Sequence, residues 1–239
     1  MAYLGIVAAL IAEARSLTKE PLAVGELIHL PDGGRLQISG MGGDRARVAA
    51  QALLGNGVTA LLSWGSAAGL IPDLLPGSVI LPKTVIAADR TPDRILYPVD
   101  ATWHERLSIR LRDHLNVHTG PLAESLTVVT TPDEKAALSS RTGAIAADME
   151  SGAVARVAYE AGVPFMVIRV VSDPFDLAIP ACALAASDEF GQVRFSKLRK
   201  LALHPSELLT LARLGRNFRA ARAALEKVAR LVGTDLLVP

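Results

Sequence analysis

Two pairs of polar residues sit where apolar runs end. In "AADMESGAV", residues 146–154, the run Ala144–Ala147 closes on Asp148, Met149 and Glu150. In "FMVIRVVSD", residues 165–173, a second run closes on Ser172 and Asp173. A carboxyl in a dry pocket has a raised pKa and can donate a proton near neutrality. An ionised carboxylate can accept hydrogen bonds from two vicinal hydroxyls, and a methionine beside it offers a soft apolar wall. Asp173, Glu150 and Met149 thus supply what breaking a nucleoside's N-glycosidic bond requires. The leaving purine must be neutralised, and the ribose must be held while positive charge develops on its ring. Asp148 reads as a strand-end or turn residue.

Those residues need a scaffold that brings two strand ends together. Residues 143–147, "GAIAA", read as a strand, Ser151–Ala161 as a helix stopped by Gly162, and residues 165–171 as a second strand. About a dozen residues between strands predicts a parallel β-α-β crossover, with Glu150 and Asp173 at neighbouring carboxyl ends. Elsewhere, "YLGIVAAL" reads as a first strand and "RLQIS" as another. A glycine turn "GMGG" and a helix from Arg45 to Leu54 follow. "ALLSW" is a strand ending in the turn "GSAAG"; "SVIL" and "TVIAA" are consecutive strands; residues 103–115 are helical; "LTVVT" is a strand. Thr131, Pro132 and Glu134 form a capping box for the next helix. Alternating strands and helices predict one α/β domain over residues 1–239, three layers with a mixed central sheet.

The same segments resemble the nucleoside phosphorylase and nucleosidase superfamily. "DMESGAVARVAYEAGVPFMVIRVVSD" is similar to its Met-Glu pair, helix and Arg-x-x-Ser-Asp strand end. "SWGSAAGLIPDLLPGSVILP" is similar to its glycine-serine turn, and "GIVAALIAEARSL" to the first strand of the methylthioadenosine/adenosylhomocysteine nucleosidases. The resemblance runs from residue 4 to about 176. It implies Asp173 as the acid toward the purine, Glu150 on the ribose hydroxyls and Met149 packed on the sugar. It places Ser66 in the nucleophile pocket with backbone donors from the glycine turn at Gly65, and Glu13 on an attacking water. Arg169 and Ser172 enter as neighbours of Asp173. The chain departs from phosphorolytic members at Ser63, where they often carry arginine, and the acid Glu13 repels phosphate. Residues 130–143 are shorter than the base-binding loop of those nucleosidases. With residues 190–216, "FGQVRFSKLRKLALHPSELLTLARLGR", the chain resembles the hopanoid-associated phosphorylases. That likeness implies cleavage of adenosylhopane, by phosphorolysis or hydrolysis. The alternatives are a methylthioadenosine/adenosylhomocysteine-type nucleosidase and a non-catalytic nucleoside- or lipid-binding protein on the same fold. No cofactor is expected beyond phosphate as co-substrate. A homo-oligomer is implied, with residues 88–103 as the wall a partner supplies.

Composition bounds these readings. Half of the 239 residues are hydrophobic, net charge is +1 and Cys182 is the single cysteine. The balance argues against nucleic acid, and one cysteine excludes an internal disulfide framework. The apolar start lacks a basic leader, and no apolar run is long enough to span a bilayer. The expected place is cytoplasmic, or peripheral to the inner face of the membrane. "GMGGDRA" lacks the third glycine and downstream acid of a dinucleotide site. His114 and His118 lack a third ligand, so no metal is expected. Met41 and Trp64, near the glycine turns, could shape a pocket but read first as core. Residues 205–232 form one amphipathic helix with Arg213, Arg216, Arg219, Lys227 and Arg230 on its polar side. With Arg194, Lys197, Arg199 and Lys200 just before, it is a candidate contact for an anionic membrane surface.

Overall fold

The computed structural model describes residues 3–31, 33–88, 95–180, 183, 205–233, 236 and 238. β1 (Leu4–Ala8), β3 (Arg35–Ile38) and β4 (Ala60–Gly69) lie parallel, with β1 between the other two. All five residues of β1 are buried, as expected of a strand covered on both faces. β2 (Leu27–His29) pairs antiparallel with β3 at one edge. Across the fold run β5 (Val79–Ile80), β6 (Thr84–Ile86), β7 (Leu96–Pro98), β8 (Val117–His118), β9 (Leu122–Glu124), β10 (Ala146–Asp148) and β11 (Phe165–Asp173). Among the described residues the result is one mixed sheet of eleven strands in a single α/β domain.

Helices α2 (Gly43–Gly55) and α5 (Ser151–Ala161) pack on each other and on the sheet. The four-residue α1 (Ile11–Ala14), α3 (Ala101–Leu111) and the long α6 (Pro205–Val232) form the other helical group. α6 lies against β11, where Ala221, Leu225, Val228 and Val232 are buried. Trp64 is fully buried and donates to Ser16 Oγ at 2.9 Å. α4 (Pro132–Thr142) begins with the expected box: Thr131 Oγ1 accepts from Glu134 N at 3.2 Å, and Glu134 Oε2 accepts from Thr131 N at 3.1 Å. Gly162 ends α5 at φ +65°, a left-handed conformation that glycine adopts without a Cβ clash.

Several expectations change. "LTVVT" is not a strand; the strand is β9, just before it, and residues 125–130 are coil. The β-branched run 127–130 has strand-like composition, but the residues that pair are Leu122 and Ala123 beside Ala146 and Ala147. β4 does not stop at Trp64 but continues through the supposed turn to Gly69. β10 starts later than expected and ends on Asp148. The largest change concerns β10-α5-β11, which is not a parallel crossover. β11 runs parallel to β4 from Phe165 to Asp173, whereas β10 pairs antiparallel with the last residues of β4. The two strands never pair directly. Helix length between them set the expected topology, but β4 stands in between.

Candidate active site

Ala68 of β4 is the meeting point. On one side it is in register with Asp173, after a shift in β11 between Val171 and Asp173; on the other it is in register with Ala147. The ends of β10 and β11 therefore converge, although their directions are opposed. Over this junction lies a cavity of about 250 Å³. Glu13, Ser66, Met149, Glu150, Ser172 and Asp173 all line it. Gly65 and Arg169 do not; they lie behind it.

Glu13 follows β1 on α1 and is 3% exposed. Its Oε1 accepts from Ser66 N at 2.8 Å and Ser66 Oγ at 2.7 Å, and its Oε2 accepts from Leu10 N at 3.1 Å. A carboxylate held this way presents a fixed acceptor to the cavity. Gly65 makes the packing behind it possible. A Cβ there would fall 2.7 Å from Glu13 Oε2 and closer still to Arg169 Nη1.

Glu150 occupies the position before α5, yet its side chain makes no cap. Asp148 does that instead: both its oxygens accept from Ser151 N at 3.2 Å, and Oδ2 accepts from Ser151 Oγ. Glu150 is left to face the cavity, with Oε1 accepting from Gly42 N at 2.9 Å. The "GMGG" turn thus serves a carboxylate. Arg169 is 1% exposed. Its Nη2 lies 2.6 Å from Asp148 Oδ2 and 3.5 Å from Glu150 Oε2, and donates to Ser63 Oγ at 2.8 Å. Ser63 here receives a guanidinium from β11, the strand beside β4. Burial pushes Glu150 up to about 7, with Arg169 opposing the shift.

Asp173 is 7% exposed, and neither carboxylate oxygen has an aligned hydrogen-bond donor among the described residues. The ammonium of Lys135 stands 3.0 Å from Oδ1 as an ion pair and donates to the carbonyls of Pro174 at 2.6 Å and Leu177 at 2.8 Å. Burial raises Asp173 to about 6, against the pull of Lys135. A protonated Asp173 is therefore accessible near neutrality, with a lone-pair-bearing ligand as its natural partner.

Met149 and Met41 both line the cavity, so Met41 is not simply core. The coil mistaken for a strand contributes Val128 and Val129, and α6 contributes Phe218. Lys135 escaped the sequence reading. Its one legible signal was an inward position three residues before the buried Leu138 on α4. Among the described residues there is no group of three residues placed to hold a metal.

A mixed sheet whose strand ends converge on paired buried carboxylates defines a class, and the comparisons agree with it. The Phosphorylase superfamily profile matches residues 21–203. This chain belongs to the phosphorylase superfamily. No curated protein sequence matches it. Its structure is similar to that of 5′-methylthioadenosine/S-adenosylhomocysteine nucleosidase from Neisseria meningitidis in complex with methylthio-immucillin-A. The TM-score is 0.71 at 18% identity, over 98% of this chain and 100% of that one. A putative nucleosidase of that type from Francisella philomiragia gives 0.70 at 20% identity, over 99% and 98%. Futalosine hydrolase of Helicobacter pylori gives 0.68 at 18% identity, over 96% and 97%. These similarities establish the fold.

Proposed function

We propose that the protein hydrolyses the N-glycosidic bond of a purine ribonucleoside, most favourably an adenine nucleoside with an apolar 5′ substituent such as adenosylhopane. The observation that carries this reading is one cavity lined by Asp173, Glu150 and Met149, with Glu13 fixed on Ser66. Asp173 gives its proton to a ring nitrogen of the base as the C1′–N bond breaks and its electron pair leaves with the purine. Glu150 accepts hydrogen bonds from the ribose hydroxyls, and Met149 packs on the sugar. Glu13 takes a proton from the water whose oxygen bonds to C1′, and solvent resets both acids. Arg169 holds Glu150 from behind, Gly65 leaves room there for Arg169 and Glu13, and Ser172 borders the base side.

Water is favoured over phosphate because, among the described residues, no lysine or arginine lines the cavity while Glu13, Asp148, Glu150 and Asp173 do. Phosphorolysis, with phosphate as co-substrate, is the alternative. Leu10, Val128, Val129 and Phe218 give the cavity an apolar border suited to a hydrophobic 5′ group. In the same reading the protein is a homo-oligomer whose residues 88–103 reach a partner's site; residues 89–94 lie outside the described residues, and Leu96 on β7 is 56% exposed. α6 meets an anionic membrane at the inner face of the cell, where a bilayer-anchored nucleoside is presented.

The test is product mass spectrometry with adenosylhopane, methylthioadenosine and inosine, each with and without phosphate. Adenine and free ribosyl product at full rate without phosphate are expected. Strict phosphate dependence defeats hydrolysis, preference for methylthioadenosine over adenosylhopane moves the reading to that type of nucleosidase, and binding without product defeats catalysis.

A further inference from the structure

A lysine with no solvent exposure is rare, because an ammonium without compensating partners is costly to bury. Lys135 is one, at 0% exposed. It leaves α4 inward and has three partners: Asp173 Oδ1, and the carbonyls of Pro174 and Leu177 in the segment that follows β11. That segment continues to Ile179, which borders the cavity and whose N–H donates to Thr130 O at 2.8 Å, beside the α4 cap. One side chain therefore ties a carboxylate, the chain that leaves it and a wall of the cavity to a single helix.

We propose that Lys135 is a positioning residue for Asp173: its ammonium holds the carboxylate toward the cavity and fastens residues 174–177 in the place that orientation requires. This rests on reading Asp173 as the acid. Without the ammonium, Asp173 would have the freedom to turn, and its negative form would lose its nearest cation. The other charges near Asp173 do not replace it. Asp176, on the same segment, is negative and is paired with Arg213 of α6 at 3.3 Å; Glu150 beside α5 and Glu13 on α1 are acids across the cavity. A purely structural role, clasping the two carbonyls, would leave the titration of Asp173 unchanged.

Two variants separate these roles. Lys135→Met keeps the volume and removes the charge. Lys135→Gln also removes the charge but retains amide donors for the carbonyls, so it keeps the segment fastened if the Met variant does not fold. Activity that needs protonated Asp173 falls as pH rises through its pKa. Removing a nearby cation raises that pKa, so the alkaline limb of the kcat profile should move up by about one pH unit. The Asp173 carboxyl carbon, followed by ¹³C NMR in the protein without substrate, should move its titration midpoint the same way. Turnover should fall about tenfold or more, with KM changed less than about threefold. In an Asp173→Asn background, Lys135→Gln should cost less than about threefold more, because its partner is already gone. A folded Lys135 variant whose limb and carbon midpoint match the wild type overturns the proposal. So does a full multiplicative loss in the double variant. Asp173→Asn alone with full activity would instead defeat the acid assignment, while the NMR titration still decides whether Lys135 acts on Asp173.

Discussion

At Asp173, burial and charge pull in opposite directions. Desolvation raises its pKa to about 6 while Lys135 resists. The balance leaves a carboxyl that is an acid near neutral pH, yet can be re-protonated from solvent. Asp173→Asn preserves the shape and removes the proton. Turnover should fall by about 10²–10⁴-fold with little change in affinity, measured by steady-state adenine release; a loss under about threefold removes Asp173 from the mechanism. Glu150 is free for a different task only because Asp148 caps α5 and takes the closer contact with Arg169. With Oε1 on Gly42 N, its remaining acceptor capacity faces the cavity. A 2′-deoxyribonucleoside leaves part of that capacity unfilled, so it should be cleaved at least about a hundredfold less efficiently than its ribo counterpart, within the range expected when a buried polar group is left unpaired. Equal kcat/KM for the two would mean that Glu150 does not grip the ribose.

At the scale of elements, β4 and α6 do the most. β4 is long enough to pair with β1 along its first half, to pair with β11 from Leu61 to Ala68, and still offer Ala68 and Gly69 to β10. α6 buries one face against β11, delivers Phe218 to the cavity and leaves Arg216, Arg219 and Arg230 exposed. Part of its basic side is already engaged: Arg213 pairs with Asp176, Arg222 with Glu226 at 3.0 Å, and Lys227 donates to His114 O at 2.7 Å. The expected basic run Arg194–Lys200 lies outside the described residues. No helix among the described residues is long and apolar enough to cross a membrane. A peripheral contact would rest on Arg216, Arg219 and Arg230, which are exposed among the described residues, each worth about 1 kcal/mol near an anionic surface. Flotation with phosphatidylglycerol vesicles should show salt-sensitive binding that Arg216→Glu with Arg219→Glu weakens, while cleavage of a small soluble adenosine analogue stays unchanged. Wild-type protein that stays off these vesicles at low salt would remove the membrane from the picture.

Across the whole molecule, buried acids make the fold sensitive to pH in an unusual direction. Glu124 is raised to about 7 by burial and by Asp148 beside it, Glu150 to about 7 and Asp173 to about 6. Each folded pKa exceeds its unfolded value, so the folded state binds more protons. The stability this contributes is fully present below the unfolded pKa and is lost as pH rises through 6 to 7. Glu124 is the cleanest probe, because it does not line the catalytic cavity. It accepts from Ala153 N at 2.8 Å and Ala88 N at 3.0 Å. Its shift corresponds to stability on the order of 3 kcal/mol between acid and neutral pH. Glu124→Gln gives up one of these amides and so lowers the overall level, but it cannot titrate. Urea unfolding from pH 4.5 to 8 should show a shallower decline for the variant, by an amount of that order; parallel curves would show that Glu124 stays ionised in the fold.

Local rules were enough to read the α4 capping box, the Gly162 stop and the first strands, and the family resemblance pointed to Glu13, Ser66, Met149, Glu150 and Asp173, which the structure gathers around one cavity. Each rests on neighbours in sequence or on a motif whose residues lie close together along the chain. The junction at Ala68, the antiparallel run of β10, the service of Gly42 to Glu150 and the clamp of Lys135 on Asp173 depended on the tertiary structure. Each joins residues from 38 to 108 positions apart, and hydrophobic period carries no information about which strand lies between two others. The sequence by itself therefore determined which polar side chains end the apolar runs, because residue type and burial pattern are local. Only the packed sheet decided which acids are desolvated, which one pairs with Lys135, which ones meet Arg169 and which one caps α5, because desolvation and ion pairing are set by what folds on top.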